Sequence, residues 1–155
     1  MAHQIDIESN SQSQLIPDLS DIERWIGAAL QSQDIENTEV SIYIVDEDEG
    51  QELNSQYRGR DYPTNVLSFP ADIPEEVGTP LLGDLVVCAP VVEREAQEQN
   101  KALAAHWAHM LVHGTLHLIG FDHIDDGEAE EMESLETQII TGLGYPAPYQ
   151  DITEE

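Results

Sequence analysis

Residues 81 to 120 read L-L-G-D-L-V-V-C-A-P-V-V-E-R-E-A-Q-E-Q-N-K-A-L-A-A-H-W-A-H-M-L-V-H-G-T-L-H-L-I-G. Leu81 to Cys88 is apolar around Gly83 and Asp84 and reads as a strand. Pro90 opens a helix to about Gln99, because a missing N–H costs nothing in a first turn. Lys101 to Ile119 is a second, strongly apolar helix, and Gly120 ends it. A strand followed by two successive helices breaks any regular βαβ alternation. The fold class expected is α+β.

Upstream, Asn65 to Phe69 reads as a strand that Pro70 ends, and Asp72 to Pro80 reads as a loop. Glu39 to Asp46 (EVSIYIVD) is rich in β-branched residues and reads as a strand. Glu47 to Arg58 is polar, with Leu53 and Tyr57 spaced for a helix packed on one side. His3 to Glu8 alternates apolar and polar residues, as a short edge strand does, and Ser9 to Gln14 reads as a turn. Ile22, Trp25, Ile26, Ala29 and Leu30 have helical spacing; Ser20 is the expected N-cap, with Glu23 completing a capping box. Glu128 to Leu143 is the last expected helix, and 146–155 reads as a loosely held tail. The expectation is one domain over 1–155: a small mixed sheet of about four strands packed by helices, with a metal site at a helix and its following turn.

The 155 residues suit one compact domain. No apolar run approaches the roughly 20 residues that span a bilayer, so no membrane role is expected. Residues 1–10 lack the basic head and apolar stretch of a signal peptide. Cys88 is the only cysteine, so an intramolecular disulfide is excluded and a cytoplasmic location is expected. The 32 acidic residues face five basic ones, for a formal charge of -27. A broad basic surface for nucleic acid is therefore excluded. Phosphate contacts must come from a few local residues or from a metal.

Residues 113 to 123 read H-G-T-L-H-L-I-G-F-D-H. His113 and His117 stand four apart on the expected helix, which returns both to nearly one face. Gly120 lets the chain reverse, and His123 can fold back as a third ligand. Three imidazoles imply one transition-metal ion, zinc first, although nickel and copper also accept imidazole. Structural zinc sites usually close all four positions, mostly with cysteine; three ligands leave a place for water, as in catalytic sites. The spacing matches the metzincin peptidase pattern except at Gly114, where those enzymes need a glutamate base. Asp122 is a candidate base or imidazole-orienting group. His109, one turn before His113, is a packed helix histidine, an outer group of the site or a contact for substrate phosphate, and His106 is a weaker case. Glu128, Glu130, Glu131, Glu133 and Glu136 read as a solvated helix face.

Residues 54 to 70 read N-S-Q-Y-R-G-R-D-Y-P-T-N-V-L-S-F-P and hold two of the five cations, Arg58 and Arg60. A guanidinium fork grips phosphate bidentately, whereas Arg94 looks like an ordinary helix-surface charge. Segments 57–70, 81–88 and 113–123, with 128–136, resemble the YbeY family of bacterial endoribonucleases, and the similarity spans about 38 to 149. The resemblance implies a single-strand-selective, metal-dependent endoribonuclease acting in 16S rRNA 3′-end maturation and ribosome quality control. It implies His113, His117 and His123 as metal ligands and Arg58 as a residue of RNA cleavage. Single-stranded rRNA and the ribosome or its small-subunit proteins are the implied partners. Two rival readings follow from the residues: a metallopeptidase, and a non-enzymatic ribosome assembly factor with a structural metal.

Overall fold

The computed structural model describes residues 4–35, 38–59, 64–70, 81–121 and 126–148, with the side chains of Arg58, Leu81, Asp126 and Glu128 left out. Within them the elements run β1 (Gln4–Ser9), α1 (Leu19–Ser32), β2 (Glu39–Val45), α2 (Glu47–Arg58), β3 (Val66–Pro70), β4 (Leu81–Cys88), α3 (Ala89–Glu98), α4 (Leu103–Ile119) and α5 (Asp126–Gly142). The four strands form one sheet in the order β1-β2-β4-β3. β1 and β4 both pair parallel to β2, while β3 runs antiparallel to β4. The sheet is therefore mixed and the fold is α+β.

Period-two patterning divides the sheet between two cores. Val40, Ile42 and Ile44 of β2, with Leu85 and Val87 of β4, are buried in the larger one. There they meet Trp25 and Ile26 of α1, Trp107 and Leu111 of α4, and Met132 and Ile140 of α5. Each such side chain stabilises the fold by roughly 1.5–3 kcal/mol when buried. The intervening Val45, Val86 and Cys88 join Leu67 of β3 and Val91 of α3 in a smaller core, against which Leu53 of α2 packs. Burial pushes the Cys88 thiol up to about 11, so it stays protonated at neutral pH.

α4 is the central helix. Eleven of its 17 residues are buried, which its apolar sequence anticipates. It packs on α1, α3 and α5 as well as on β3 and β4. At its end Gly120 adopts φ 124°, and the Phe121 N–H donates to the Leu116 carbonyl at 3.0 Å. That positive-φ step, open to glycine, ends the helix three residues after His117.

The start of α1 differs from the sequence expectation. The N-cap is Asp18, in an extended conformation (φ -69°, ψ 154°), and no side-chain cap forms. Its carbonyl accepts from Asp21 N and Ile22 N, both at 3.1 Å. Ser20 lies inside the first turn, so the Ser20–Glu23 capping box does not exist. Pro70 also differs: it is the last residue of β3 and pairs with Gly83. Proline is tolerated there because β3 is an edge strand.

Candidate metal centre

α4 carries four histidines, His106, His109, His113 and His117, at spacings of three, four and four. These spacings return to one side of a helix, so the rings form a ladder. Successive ring centroids lie 6.2, 6.3 and 4.6 Å apart. The last pair is closest, and its Nε2 atoms are 3.2 Å apart. Two nitrogens at about 2.0–2.1 Å from a tetrahedral zinc ion would stand about 3.3–3.4 Å apart. The two imidazoles thus fit one shared cation. They sit in the last turns of α4, where the helix dipole favours positive charge.

What fixes the His113 tautomer is a carboxylate. Glu136 of α5 is fully buried. Its Oε2 accepts from His113 Nδ1 at 2.7 Å and its Oε1 accepts from His109 Nε2 at 2.8 Å. With Glu136 ionised it can only accept, and each contacted nitrogen then carries its proton. His113 Nε2 is then the acceptor nitrogen, facing His117. This corrects the sequence reading of Glu136 as part of a solvated face. Glu130, Glu131 and Glu133 are exposed as expected, but Glu136 lies one turn after buried Met132 and one turn before buried Ile140. That apolar spacing was the available signal. Burial lowers the His109 pKa below the ordinary histidine value, and Glu136 only partly opposes it.

His106 takes a different partner. Its Nε2 is 2.9 Å from Glu95 Oε1 on α3. Glu95 Oε1 also accepts from Asn65 Nδ2 at 3.1 Å. Burial acts to raise the Glu95 pKa, but the hydrogen bonds from His106 and Asn65 together outweigh it and leave the carboxyl below its usual range. The Asn65 side-chain oxygen accepts from Val66 N at 2.6 Å and its carbonyl accepts from Cys88 N at 2.9 Å. Asn65 therefore pins the entry of β3 to both α3 and β4.

β3 forms the facing wall. A cleft of about 520 Å3 lies between Thr64, Asn65, Val66 and Ser68 on one side and His113, His117 and Phe121 on the other. Ser68 Oγ donates to the Gly114 carbonyl at 3.1 Å and ties the two walls together. Gly114 is a point of close approach between helix and sheet. A Cβ there would stand 2.8 Å from Leu85 Cδ2, 3.2 Å from Val66 Cγ2 and 3.4 Å from Ser68 Oγ. A glutamate at this position would push against the Leu85 and Val66 side chains, which would have to repack. The peptidase base is thus absent for a packing reason as well as a chemical one.

The structure brings His113 and His117 together. Asp122, His123 and Arg60 lie outside the described residues. Arg58 is the last residue of α2, followed by Gly59 in the left-handed conformation (φ 69°). Tyr57 beside it packs edge-on against Phe69 of β3, with centroids 5.2 Å apart. This places the end of α2 against the strand that lines the cleft. Arg94, as expected, is a surface charge, and its Nη1 is 2.6 Å from Glu47 Oε2. No helix among the described residues is long and apolar enough to cross a membrane.

The site of this α+β domain joins a histidine pair at a helix end, a buried carboxylate behind it and an open cleft in front of it. The family model described as "Endoribonuclease YbeY" matches residues 5–144. The chain is 66% identical over 149 residues to the endoribonuclease YbeY of Cellvibrio japonicus (strain Ueda107), covering 96% of this chain and 84% of that protein. It is also similar to a Thermotoga maritima protein solved in solution, with a TM-score of 0.59 and 28% identity, covering 98% of this chain and all of the other. The chain belongs to the YbeY endoribonuclease family.

Proposed function

We propose that this protein is a metal-dependent endoribonuclease that cuts single-stranded RNA, with the 3′ end of 16S rRNA as its substrate. Its work is rRNA maturation and ribosome quality control in the cytoplasm, with the ribosome or small-subunit ribosomal proteins as partners. The observation that carries this reading is the 3.2 Å approach of His113 Nε2 and His117 Nε2 at the edge of an open cleft. Family membership supports RNA as the substrate.

His113, His117 and His123 would hold one transition-metal ion, zinc in first place and nickel as an alternative. Bound there, it would lower the pKa of water and offset the negative charge of a phosphate. The protein's own residues do the rest. Glu136 keeps the His113 proton on Nδ1, away from the cleft. Arg58 binds a non-bridging phosphate oxygen and stabilises the charge that grows in the transition state. Asp122 is the candidate base. The Asn65 and Ser68 hydrogen bonds hold the β3 wall at a fixed distance from the histidines. A chain of net charge -27 repels RNA at long range, so docking falls to the ribosome or a bound protein.

The test is cleavage of a single-stranded rRNA fragment by wild type, Arg58→Glu and His113→Ala, with zinc content measured on the same samples. Loss of cleavage in both variants, with zinc retained in Arg58→Glu and lost in His113→Ala, is expected. Full cleavage by His113→Ala would refute the mechanism. Product ends separate the nucleophiles: a 2′,3′-cyclic phosphate marks the ribose 2′-OH, and a 5′-phosphate marks water.

A further inference from the structure

We infer that Glu136, clamped by His109, is a positioning residue that sets the aim and the metal affinity of His113; this rests on the metal-binding reading above. Packing alone does not ask for a carboxylate at this place. Glu136 stands on an apolar stripe between Met132 and Ile140, and its side chain is fully buried. A buried carboxylate costs several kcal/mol unless it is well paired. Here both oxygens are used, one for each imidazole.

The arrangement has a mechanical consequence. A carboxylate held at one oxygen can rotate about its last bond. Held at Oε1 by His109 and at Oε2 by His113, its plane is set. His113 is then fixed at two points, its Cβ on α4 and its Nδ1 on Glu136. With the ring plane fixed, Nε2 has one direction, toward His117. His109, His113 and Glu136 all stand on long helices, α4 and α5, so the geometry is built into the scaffold. His109 is therefore neither a ligand nor filler: it acts on His113 through Glu136. Outer partners of this kind typically change metal affinity by about 10–100-fold.

The test compares wild type, Glu136→Gln, His109→Gln and His109→Leu. Zinc affinity is read by chelator competition, the cobalt-substituted visible spectrum reports ligand geometry, and thermal melting of the metal-free protein reports the fold. Glu136→Gln puts an amide N–H2 against one imidazole N–H, so zinc affinity should fall by about 10–100-fold and the cobalt spectrum should change. His109→Leu removes the clamp and should lose about 10-fold, while His109→Gln keeps an N–H donor and should stay within about two-fold. A Glu136→Gln protein with wild-type affinity and spectrum overturns the inference. So does equal affinity in His109→Leu and His109→Gln, and this pair decides alone if Glu136→Gln fails to fold. Wild type that takes up no zinc overturns the metal reading itself; zinc uptake indifferent to all three variants overturns only the positioning role.

Discussion

The two ends of the α4 histidine ladder use the same chemistry for different ends. His106, near the start, and His113, near the finish, each pair one ring nitrogen with a glutamate on a neighbouring helix. The difference lies in the other nitrogen. His106 Nδ1 is buried and has no hydrogen-bond partner among the described residues. His113 Nε2 meets His117 Nε2 at the cleft. A carboxylate partner alone therefore does not mark a metal ligand; what the second nitrogen faces does. The first pair locks α3, β3 and α4 together through Asn65, and the second aims at a cation.

The largest effect is expected where the walls of the cleft touch. Gly114→Glu forces a charged side chain against Leu85 and Val66 and should destabilise the fold by at least about 3 kcal/mol in urea titration. A folded, peptide-cleaving Gly114→Glu protein would show that the close approach of α4 to the sheet is not what excludes the base. Next comes the structural end of the ladder. His106→Leu leaves Glu95 without its imidazole partner and should cost about 1–2 kcal/mol, while zinc affinity stays at the wild-type value. A fall in affinity would erase the contrast between the two ends.

A smaller effect concerns pH. The folded-state pKa of His109 lies below its unfolded value, so the unfolded chain binds more protons as pH falls. The stability of this group is present above the unfolded value, near 6.5 for histidine, and is lost below it. Lower pH also relieves acidic self-repulsion across the whole surface, so the difference between proteins is the clean readout. In metal-free samples the stability of wild type relative to His109→Gln should decline between pH 7.5 and 5.5. A constant gap would mean that His109 is not held neutral by burial. Least sensitive is the surface: Arg94→Ala should change stability by no more than about 0.5 kcal/mol, because its pair with Glu47 is exposed.

Much of the fold was legible in the sequence for simple reasons. β4 and α2 have the expected limits: β4 is an apolar run bracketed by Pro80 and Pro90, and α2 is a polar segment before Gly59 with Leu53 and Tyr57 spaced for one packed side. The α1 cap was misplaced because Ser20 and Asp18 are both good caps on paper, and the choice depends on where the chain turns in space. In the site, the approach of His113 to His117 was legible from their spacing alone. Glu136 was not, because its neighbours in sequence, Glu130, Glu131 and Glu133, are exposed, and the helix face it shares with Met132 and Ile140 outranks that local composition. Glu95 and Asn65 were hidden for another reason: a bond between α3 and the start of β3 has no signature in either segment.

The account stands on His113 and His117 holding one cation between their Nε2 atoms. Calorimetric titration of zinc into metal-free wild type and His117→Ala tests it most directly. One tight site in wild type is predicted, weakened in His117→Ala by more than the roughly 100-fold that an outer-shell change can cause. Wild-type affinity in His117→Ala would contradict it.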